Sequence, residues 1–232
     1  MLGPVLNESD IYREWAPPPA WRAVVACCWE QRVAEARVQR VVPDGCADLL
    51  LRETGAEVVG LADDAALVSL PAGTRIRGVR IRPEAVAPSF GVTASELRNR
   101  TVDAADVVGA RRSRALVAEP ALDDWIQSIE PDARAARAVR LLEVGTVDEA
   151  AAALGLSARQ LHRIFEVNVG VGPKAFQRVR RFQRFLQRAE AGVPLASAAA
   201  DAGYSDQAHM SRDVRGLSGL TPARLIAERV AS

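Results

Sequence analysis

The apolar residues of positions 131–232 recur three and four residues apart, which is the spacing of amphipathic helices. The pattern predicts a helix from about Ala133 to Val144, capped by Asp132. Its inward-facing residues are predicted to be Ala136, Val139 and either Leu142 or Val144. Two capping boxes, each a serine or threonine with Glu or Gln three residues later, follow at Thr146–Glu149 and Ser157–Gln160 and predict two further helices.

The stretch AAAALGLSARQLHRIF, which starts at Ala150, returns as AAADAGYSDQAHMSRDV, which starts at Ala198. Gly155 corresponds to Gly203 and, after one inserted residue, Leu161 corresponds to Met210. A repeat that keeps its glycines and helix starts in step also keeps its backbone geometry. We therefore predict two helix-turn-helix motifs, near residues 147–166 and 194–215, of the kind that places a helix in the DNA major groove.

The second helix of each motif is predicted to bury one side and expose the other. Leu161, Ile164 and Phe165 face inward in the first motif, and Met210 and Val214 do so in the second. The outer side carries side chains that can bond to base edges. These outer residues are Arg159, His162, Arg163 and Glu166 in the first motif, and Gln207, Ala208, Ser211, Arg212 and Arg215 in the second.

Pro173 and Gly192 mark the start and end of a long helix between the motifs. A helix of about 19 residues spans roughly 28 Å, comparable with the about 34 Å between major-groove segments on one face of DNA. Its inner side is predicted to hold Phe176, Val179, Phe182 and Leu186, and its outer side Arg178, Arg181, Arg184 and Arg188. The candidate phosphate contacts are Ser157, Arg178, Arg181, Arg184, Ser205 and Arg215.

The first half has short segments rich in valine, isoleucine and leucine, separated by turn residues, which is typical of strands. In the last of them, Arg75 and Arg77 share a face opposite Ile76. A few helices follow, including one capped by Thr93 and Glu96 and one from about Ser113 to Ile129. The predicted fold is α+β, with a small β-barrel or sandwich-like regulatory domain at 1–130 and an all-α domain at 131–232.

The 30 Lys+Arg and 29 Asp+Glu residues give a formal net charge of +1, but they are unevenly distributed. Residues 1–130 hold 15 basic and 19 acidic residues, whereas residues 131–232 hold 15 and 10. A basic half joined to an acidic one indicates that one end meets a polyanion. The chain has no apolar run of the about 20 residues that cross a bilayer and no signal-peptide pattern at its start, so a cytoplasmic protein without a membrane partner is expected.

Cys27, Cys28 and Cys46 all lie in the first half, and an odd count argues against a disulfide framework. Buried thiols that act as small apolar groups are the favoured interpretation. A regulator that senses thiol oxidation or a soft metal through these three cysteines is the alternative. No cofactor or metal site is otherwise expected.

An enzyme is the less favoured class. The two histidines, His162 and His209, both lie in the helix-turn-helix motifs, and the first half has no Ser–His pair or glycine-rich phosphate loop. A repair protein that transfers an alkyl group from DNA to a sacrificial cysteine is a further alternative. Three cysteines do not form the four-thiolate zinc site that such activation would need.

Two segments, AAALGLSARQLHRIFEVNVGVGPKAF and AGYSDQAHMSRDVRGLSGLTPARL, resemble the DNA-binding domain of AraC/XylS-type transcription regulators. The run that ends in GLTP after Gly-Tyr-Ser-Asp-Gln-x-His is a highly specific signature. The resemblance implies about seven helices and two recognition helices inserted into one face of double-stranded operator DNA. It also implies base contacts by Arg159, His162, Arg163, Gln207, Ala208, Ser211 and Arg212.

The strand around Trp29 and the segments VPDGCADLLL and GVRIRPEAVAPSFGVTASELRNRTV are similar to the N-terminal domain of a subgroup of actinobacterial and proteobacterial regulators. Such a domain implies binding of a small effector or dimerisation. RNA polymerase and a second copy of the chain are further candidate partners. The candidate effector-binding residues, for each of which packing or a surface salt bridge is the alternative, are Trp21, Trp29, Asp44, Asp48, Arg80 and Arg82.

Overall fold

The structure, a computed structural model, describes residues 10–52 and 55–231. A β-rich N-terminal part precedes a helical C-terminal part, which confirms the predicted α+β class. The strands are β1 (Ile11–Trp15), β2 (Val25–Arg32), β3 (Arg37–Val41), β4 (Ala47–Arg52), β5 (Gly55–Val59), β6 (Ala66–Leu70), β7 (Arg75–Ile81) and β8 (Thr101–Asp103). Of these, β1 and β8 are short edge strands that the sequence pattern missed.

Six strands form one antiparallel sheet in the order β1-β2-β7-β4-β5-β8, and β3 pairs with β6 in a separate ribbon. Because side chains alternate along β7, Val79 and Ile81 join the large core under the helices, whereas Ile76 joins a small cluster on the other face. Gly78 also lies on that second face, where an added Cβ would overlap the indole ring of Trp29.

In the described residues of the N-terminal part there are five short α-helices: α1 (Val86–Phe90), α2 (Ala94–Leu97), α3 (Ala104–Val108), α4 (Ala110–Ala115) and α5 (Glu119–Gln127). The predicted capping box of Thr93 and Glu96 begins α2. The prediction of a single helix from about Ser113 to Ile129 is wrong, because the helical structure is interrupted between α4 and α5. Pro120 stands in the first turn of α5, where its missing N–H is tolerated and its ring prevents the preceding helix from continuing.

The C-terminal part has the seven helices that were predicted: α6 (Ala133–Val144), α7 (Val147–Ala153), α8 (Ala158–Asn168), α9 (Pro173–Glu190), α10 (Leu195–Ala202), α11 (Gln207–Ser218) and α12 (Pro222–Ala231). Asp132 caps α6 by accepting a hydrogen bond from the Ala135 N–H. The predicted inner stripe of α6 needs correction, since Ala136 is half-buried and Val144 is 91% exposed. The buried residues of α6 are Ala135, Ala138, Val139 and Leu142, and Val144 lies outside this stripe.

The two parts share one continuous core. The largest cluster of buried residues includes strand residues such as Leu49, helix residues such as Phe90, and Phe165 and Phe176 from α8 and α9. At the junction, a Cβ added at Gly170 would lie 2.8 Å from the carbonyl oxygen of Ala94. Because the packing is this close, a movement of α1 or α2 must also displace α8.

Polar contacts add a second junction. The side-chain amide of Gln183 on α9 donates a hydrogen bond to the Pro43 carbonyl oxygen at 2.5 Å. Arg40 of β3 bonds to Glu228 at 3.0 Å and to the Ser218 carbonyl oxygen at 2.9 Å. The β3–β4 region is therefore attached to the C-terminal part at two places, to α9 in its middle and to α11 and α12 at its end.

Candidate nucleic-acid interface

The first helix-turn-helix motif consists of α7, a turn at Gly155 and α8. Ser157 and Gln160 form the predicted capping box, with the Ser157 Oγ accepting from the Gln160 N–H at 3.2 Å. On the opposite side of α8 from the core, Arg159 and Arg163 are exposed and form no hydrogen bond or ion pair with any described residue. Both guanidinium groups are thus available to a ligand outside the chain.

The second motif repeats this division. Gly203 makes the turn with a φ of 88°, and Asp206 caps α11 by accepting from the His209 N–H at 2.6 Å. Gln207, Ala208 and Arg212 are exposed near the start of α11, and Ser211 is half-buried. Across the chain from residue 10 to 52 and 55 to 231, Arg212 has no hydrogen bond or ion-pair partner.

The inner sides of α8 and α11 are packed as predicted, except that Ile164 is only half-buried. Leu161 and Phe165 are 0% exposed, and Met210 and Val214 are 1% and 0% exposed. Because these residues hold one side of each helix against the core, the arginines on the other side must face solvent.

His162 was predicted on the outer side of α8, but its ring contacts other residues of the chain. Its ring lies against Gly172, where an added Cβ would come 2.6 Å from the Cε1 atom. Its Nε2 lies 3.7 Å from a carboxylate oxygen of Glu166 one turn later. The side chain is still 59% exposed, so its outer edge can be reached from solvent.

The connecting helix α9 packs differently from the expectation for Arg178 and Arg181, which were placed on its outer side. Arg178 forms an ion pair with Asp213 of α11 at 2.8 Å, and Arg181 lies 3.9 Å from the same carboxylate. Arg181 also stacks over the ring of Tyr204, 5.2 Å from its centroid. The reason for the difference is that α11 crosses this side of α9 and supplies an acidic partner, so the two arginines are engaged within the chain.

Asp213 is a residue that the sequence reasoning missed. It is 9% exposed and also lies 3.7 Å from the Nε2 of His209. A signal was present in the repeat, because Asp213 occupies the position that corresponds to the inward-facing Ile164. An acidic residue at an inward position indicates a buried partner.

Of the remaining candidate phosphate contacts, the side chains of Arg184 and Ser205 form hydrogen bonds with other residues of the described chain, whereas that of Arg215 does not. Arg184 donates at 3.4 Å to the carbonyl oxygens of Glu143 and Ala202, and the Ser205 hydroxyl contacts His209 Nδ1 at 3.1 Å. Arg215 is exposed and, within the described part of the chain, has no hydrogen bond or ion pair.

Four of the six candidate effector residues lie together on the sheet face opposite the large core. Trp29 donates its indole N–H to Asp48 at 2.8 Å, and Arg80 lies 3.4 Å from Asp48 and 3.0 Å from Asp44. Glu14 of β1, which was not predicted, binds Arg80 from the other side at 3.0 Å. One buried guanidinium group therefore holds three carboxylates.

The other two candidates, Trp21 and Arg82, are engaged elsewhere. Trp21 donates to Asp123 of α5 at 2.6 Å, and Arg82 donates to the Arg22 carbonyl oxygen at 2.8 Å. These contacts attach the 3₁₀ turn at Pro19–Trp21 to the helices and leave both side chains outside the Arg80 cluster.

In this cluster three carboxyl groups surround one guanidinium group, so that ionisation of all three carboxyl groups is unfavourable. Burial raises the pKa of the Asp48 carboxyl, and nearby Asp44 raises it further, although Arg80 opposes both effects. Between the ordinary Asp pKa of about 4 and this raised value, the folded protein binds a proton that the unfolded chain does not. Stability contributed by Asp48 therefore falls as the pH rises through that window.

We expect Asp48→Asn to make the free energy of unfolding less dependent on pH in this window. At pH 7 the variant should be as stable as the unaltered protein or more so, because Asn keeps the oxygen that accepts a hydrogen bond from Trp29. Urea unfolding at pH values from 4 to 8 measures the effect. If the unaltered protein instead gained stability over the variant as the pH rose, the raised pKa would be contradicted.

The three cysteines are free thiols, and burial raises the pKa of each. For Cys27 the pKa rises to about 12. Thiolates are the reactive and metal-binding form of cysteine. In the described residues no group of three or more His, Cys, Asp or Glu side chains is arranged to hold a metal ion.

Among the helices that the structure describes, none combines the length and the apolar character that a bilayer crossing requires.

Two family models match this chain. Residues 150–228 match a model described as "Helix-turn-helix domain", and residues 13–103 match one described as "Domain of unknown function (DUF6597)". The first begins within α7 and covers the rest of the first motif and all of the second. The second begins within β1 and covers the rest of the sheet and the Arg80 cluster.

Two curated relatives, from Mycobacterium tuberculosis strains CDC 1551 and H37Rv, are named "Probable bifunctional transcriptional activator/DNA repair enzyme AlkA". Each is 35% identical over 120 residues, which are 49% of this chain and 24% of the relative. The chain therefore spans about a quarter of the length of these relatives.

Solved structures of ToxT from Vibrio cholerae are also similar. The structure from strain O395 has a TM-score of 0.48 at 10% identity and covers 97% of this chain and 100% of its own. A P21 crystal form has a TM-score of 0.43 at 11% identity, with 84% and 91% covered.

Proposed function

We propose that this chain is a transcription regulator of the AraC type, and that it binds operator DNA with α8 and α11 in successive major grooves. The match of residues 150–228 to a helix-turn-helix family model supports the proposal. In this proposal Arg159, Arg163 and Arg212 contact bases, and Gln207 and Ser211 add contacts near the start of α11. Arg and Gln side chains are the groups that fork onto guanine and adenine edges.

One observation carries the proposal: both motifs present exposed arginines that form no hydrogen bond or ion pair within the described chain, on helices whose opposite side packs against the core. An arginine on an ordinary solvated helix often has a carboxylate nearby, as Arg188 has Asp201 at 2.5 Å. Arg163 and Arg212 occupy corresponding positions of the repeat, and neither forms an ion pair with a described residue, although Arg212 lies close enough to Asp206 to add to the effect of a backbone hydrogen bond that lowers the pKa of that carboxyl. Two matched, unpaired cations on rigid helices suit a polyanion with a regular repeat.

The connecting helix supports the spacing. Helix α9 has 18 residues, which span about 27 Å at about 1.5 Å per residue. Its buried residues contact both motifs, with Phe176 against Phe165 on one side and Phe185 against Tyr204 on the other. A stiff spacer of this length suits readers in grooves about 34 Å apart.

The experiment is selection of bound fragments from a genomic library by the full chain, followed by dimethyl sulfate footprinting, which methylates guanine N7 in the major groove. We expect protection of two major-groove segments on one face of the duplex, with centres about 10 base pairs apart. Protection of a single groove segment would contradict simultaneous insertion of α8 and α11.

We further propose control by a small effector bound in the N-terminal part, with a second copy of the chain and RNA polymerase as candidate partners. The support is the shared packing: α1 and α2 follow β7 directly and contact α8. An effector acts only if it favours one of two arrangements of this packing.

The thiol-sensing alternative has less support, because burial keeps Cys27, Cys28 and Cys46 protonated at neutral pH. The same argument weighs against transfer of an alkyl group to one of these thiols, although the name of the Mycobacterium relatives includes DNA repair. That activity is therefore not part of the proposed function.

A further inference from the structure

A cleft of about 230 Å³ lies at the end of the sheet where β2 finishes and β7 begins, on the side covered by α4 and α5. Leu51 and Val117 supply apolar surface. Four arginines line it: Arg32, Arg52, Arg75 and Arg77. This is a strong excess of positive charge around a partly apolar cavity, and it is separate from the Arg80 cluster on the opposite face.

Two of these arginines already have partners. Arg52 pairs with Glu57 at 2.7 Å, and Arg77 bonds to Glu119 at 3.2 Å and to the Val117 carbonyl oxygen at 3.1 Å. The contacts of Arg77 hold the α4–α5 connection over the cleft. Glu30, the acidic residue that also lines it, is paired with Arg13 at 2.5 Å.

The other two arginines are directly opposed. Arg32 of β2 and Arg75 of β7 are cross-strand partners in the antiparallel register, which places their Cβ atoms about 5 Å apart. Neither forms a hydrogen bond or ion pair with a residue that the structure describes. Like charges at directly opposite positions destabilise a sheet unless something between them carries the opposite charge.

We propose that this cleft binds a small carboxylate with an apolar body, and that this ligand is the effector; the second statement rests on the proposed function above. Arg32 and Arg75 hold the carboxylate, since arginine pairs with carboxylates through two parallel hydrogen bonds. Leu51 and Val117 contact the apolar body. The cavity volume limits the ligand to about the size of one ring or a short chain.

The position of the cleft suits regulation. Arg75 begins β7, and the residues after β7 form α1 and α2, which pack against α8. Binding that draws Arg75 toward Arg32 acts on the strand that leads to the first recognition helix. The effector should therefore change DNA affinity without touching DNA.

The test uses the full chain without DNA and measures binding by isothermal titration with benzoate, with benzamide as the neutral probe of the same shape, and with inorganic phosphate. We expect benzoate to bind, benzamide to bind at least about tenfold more weakly, and Arg75→Gln to weaken benzoate binding by a similar factor. Arg114→Gln, which changes an exposed arginine outside the cleft, should bind benzoate as the unaltered chain does.

A folding defect is excluded by thermal unfolding of the Arg75→Gln chain, which should be as stable as the unaltered chain or more so, because the like-charge pair is removed. Equal binding of benzoate and benzamide, or binding of phosphate alone, overturns the carboxylate site. Loss of DNA affinity by Arg75→Gln in the absence of benzoate assigns the arginines to DNA and also overturns it.

DNA affinity, measured separately with and without benzoate, distinguishes the two proposals. A benzoate-dependent change that Arg75→Gln abolishes supports the effector role, and bound benzoate with no such change overturns that role. If the chain binds benzoate but no DNA, the proposed function fails while the cleft assignment stands; if it binds DNA but not benzoate, only the cleft assignment fails.

Discussion

A chain that carries both Arg163→Ala and Arg212→Ala is expected to lose nearly all preference for its operator over random DNA. Each arginine that forks onto a guanine contributes about 1–3 kcal/mol of discrimination. The two side chains lie on different helices and share no partner in the described chain, so their losses should add. The sum, about 2–6 kcal/mol, corresponds to a loss of specific affinity between about 30-fold and 10⁴-fold.

Fluorescence anisotropy with an operator duplex and a scrambled duplex, at two salt concentrations, measures this loss. Affinity for the scrambled duplex should fall far less, because phosphate contacts elsewhere persist. Arg224→Ala, at an exposed position of α12 outside both motifs, is the matched control and should leave specificity intact. Equal losses on both duplexes would show that Arg163 and Arg212 contact phosphates rather than bases.

Replacement of Asp213 by Ala is expected to be the most destabilising single change at the second motif, by about 3 kcal/mol. Removing one partner of a buried ion pair leaves the opposite charge without compensation. Here Arg178 and Arg181 would face each other and His209 across an empty site. Partial exposure of the arginines, 38% and 27%, keeps the expected loss at the lower end of the usual range of about 3–5 kcal/mol.

Urea unfolding of the full chain, followed by circular dichroism, measures this change. Asp213→Asn keeps an oxygen for the Arg178 hydrogen bond and should lose clearly less stability than Asp213→Ala. Asp201→Ala, which removes an exposed carboxylate paired with Arg188, is the control and should cost at most about 1 kcal/mol. A loss for Asp213→Ala no larger than that of Asp201→Ala would show that the network contributes little.

The features of the two helix-turn-helix motifs that the sequence predicted correctly, their capping boxes and buried residues, depend on residues close to each other in the chain. The capping boxes at Thr146–Glu149 and Ser157–Gln160 join groups three residues apart, so that the backbone geometry of one turn is enough to form them. The inward positions of Leu161 and Phe165 follow from helical periodicity alone.

The partners of the arginines on α9 could not be predicted in this way. Arg178 and Asp213 are 35 residues apart in the chain, and they meet only because α11 packs across α9. Periodicity places Arg178 off the apolar stripe but does not say which element covers that side of the helix. By contrast, the break between α4 and α5 had a local signal in the sequence, because the ring of Pro120 prevents a preceding helix from continuing.

By itself, the sequence determined the helical part, its repeated motif and the outward position of Arg163 and Arg212, because these follow from local hydrogen bonding and the separation of apolar from polar side chains. Only the tertiary structure decided that Arg80 gathers Glu14, Asp44 and Asp48, that Arg32 faces Arg75, and that α1 and α2 support α8. Strand register and helix packing bring together groups from distant segments, and the energy of those contacts depends on all the partners at once.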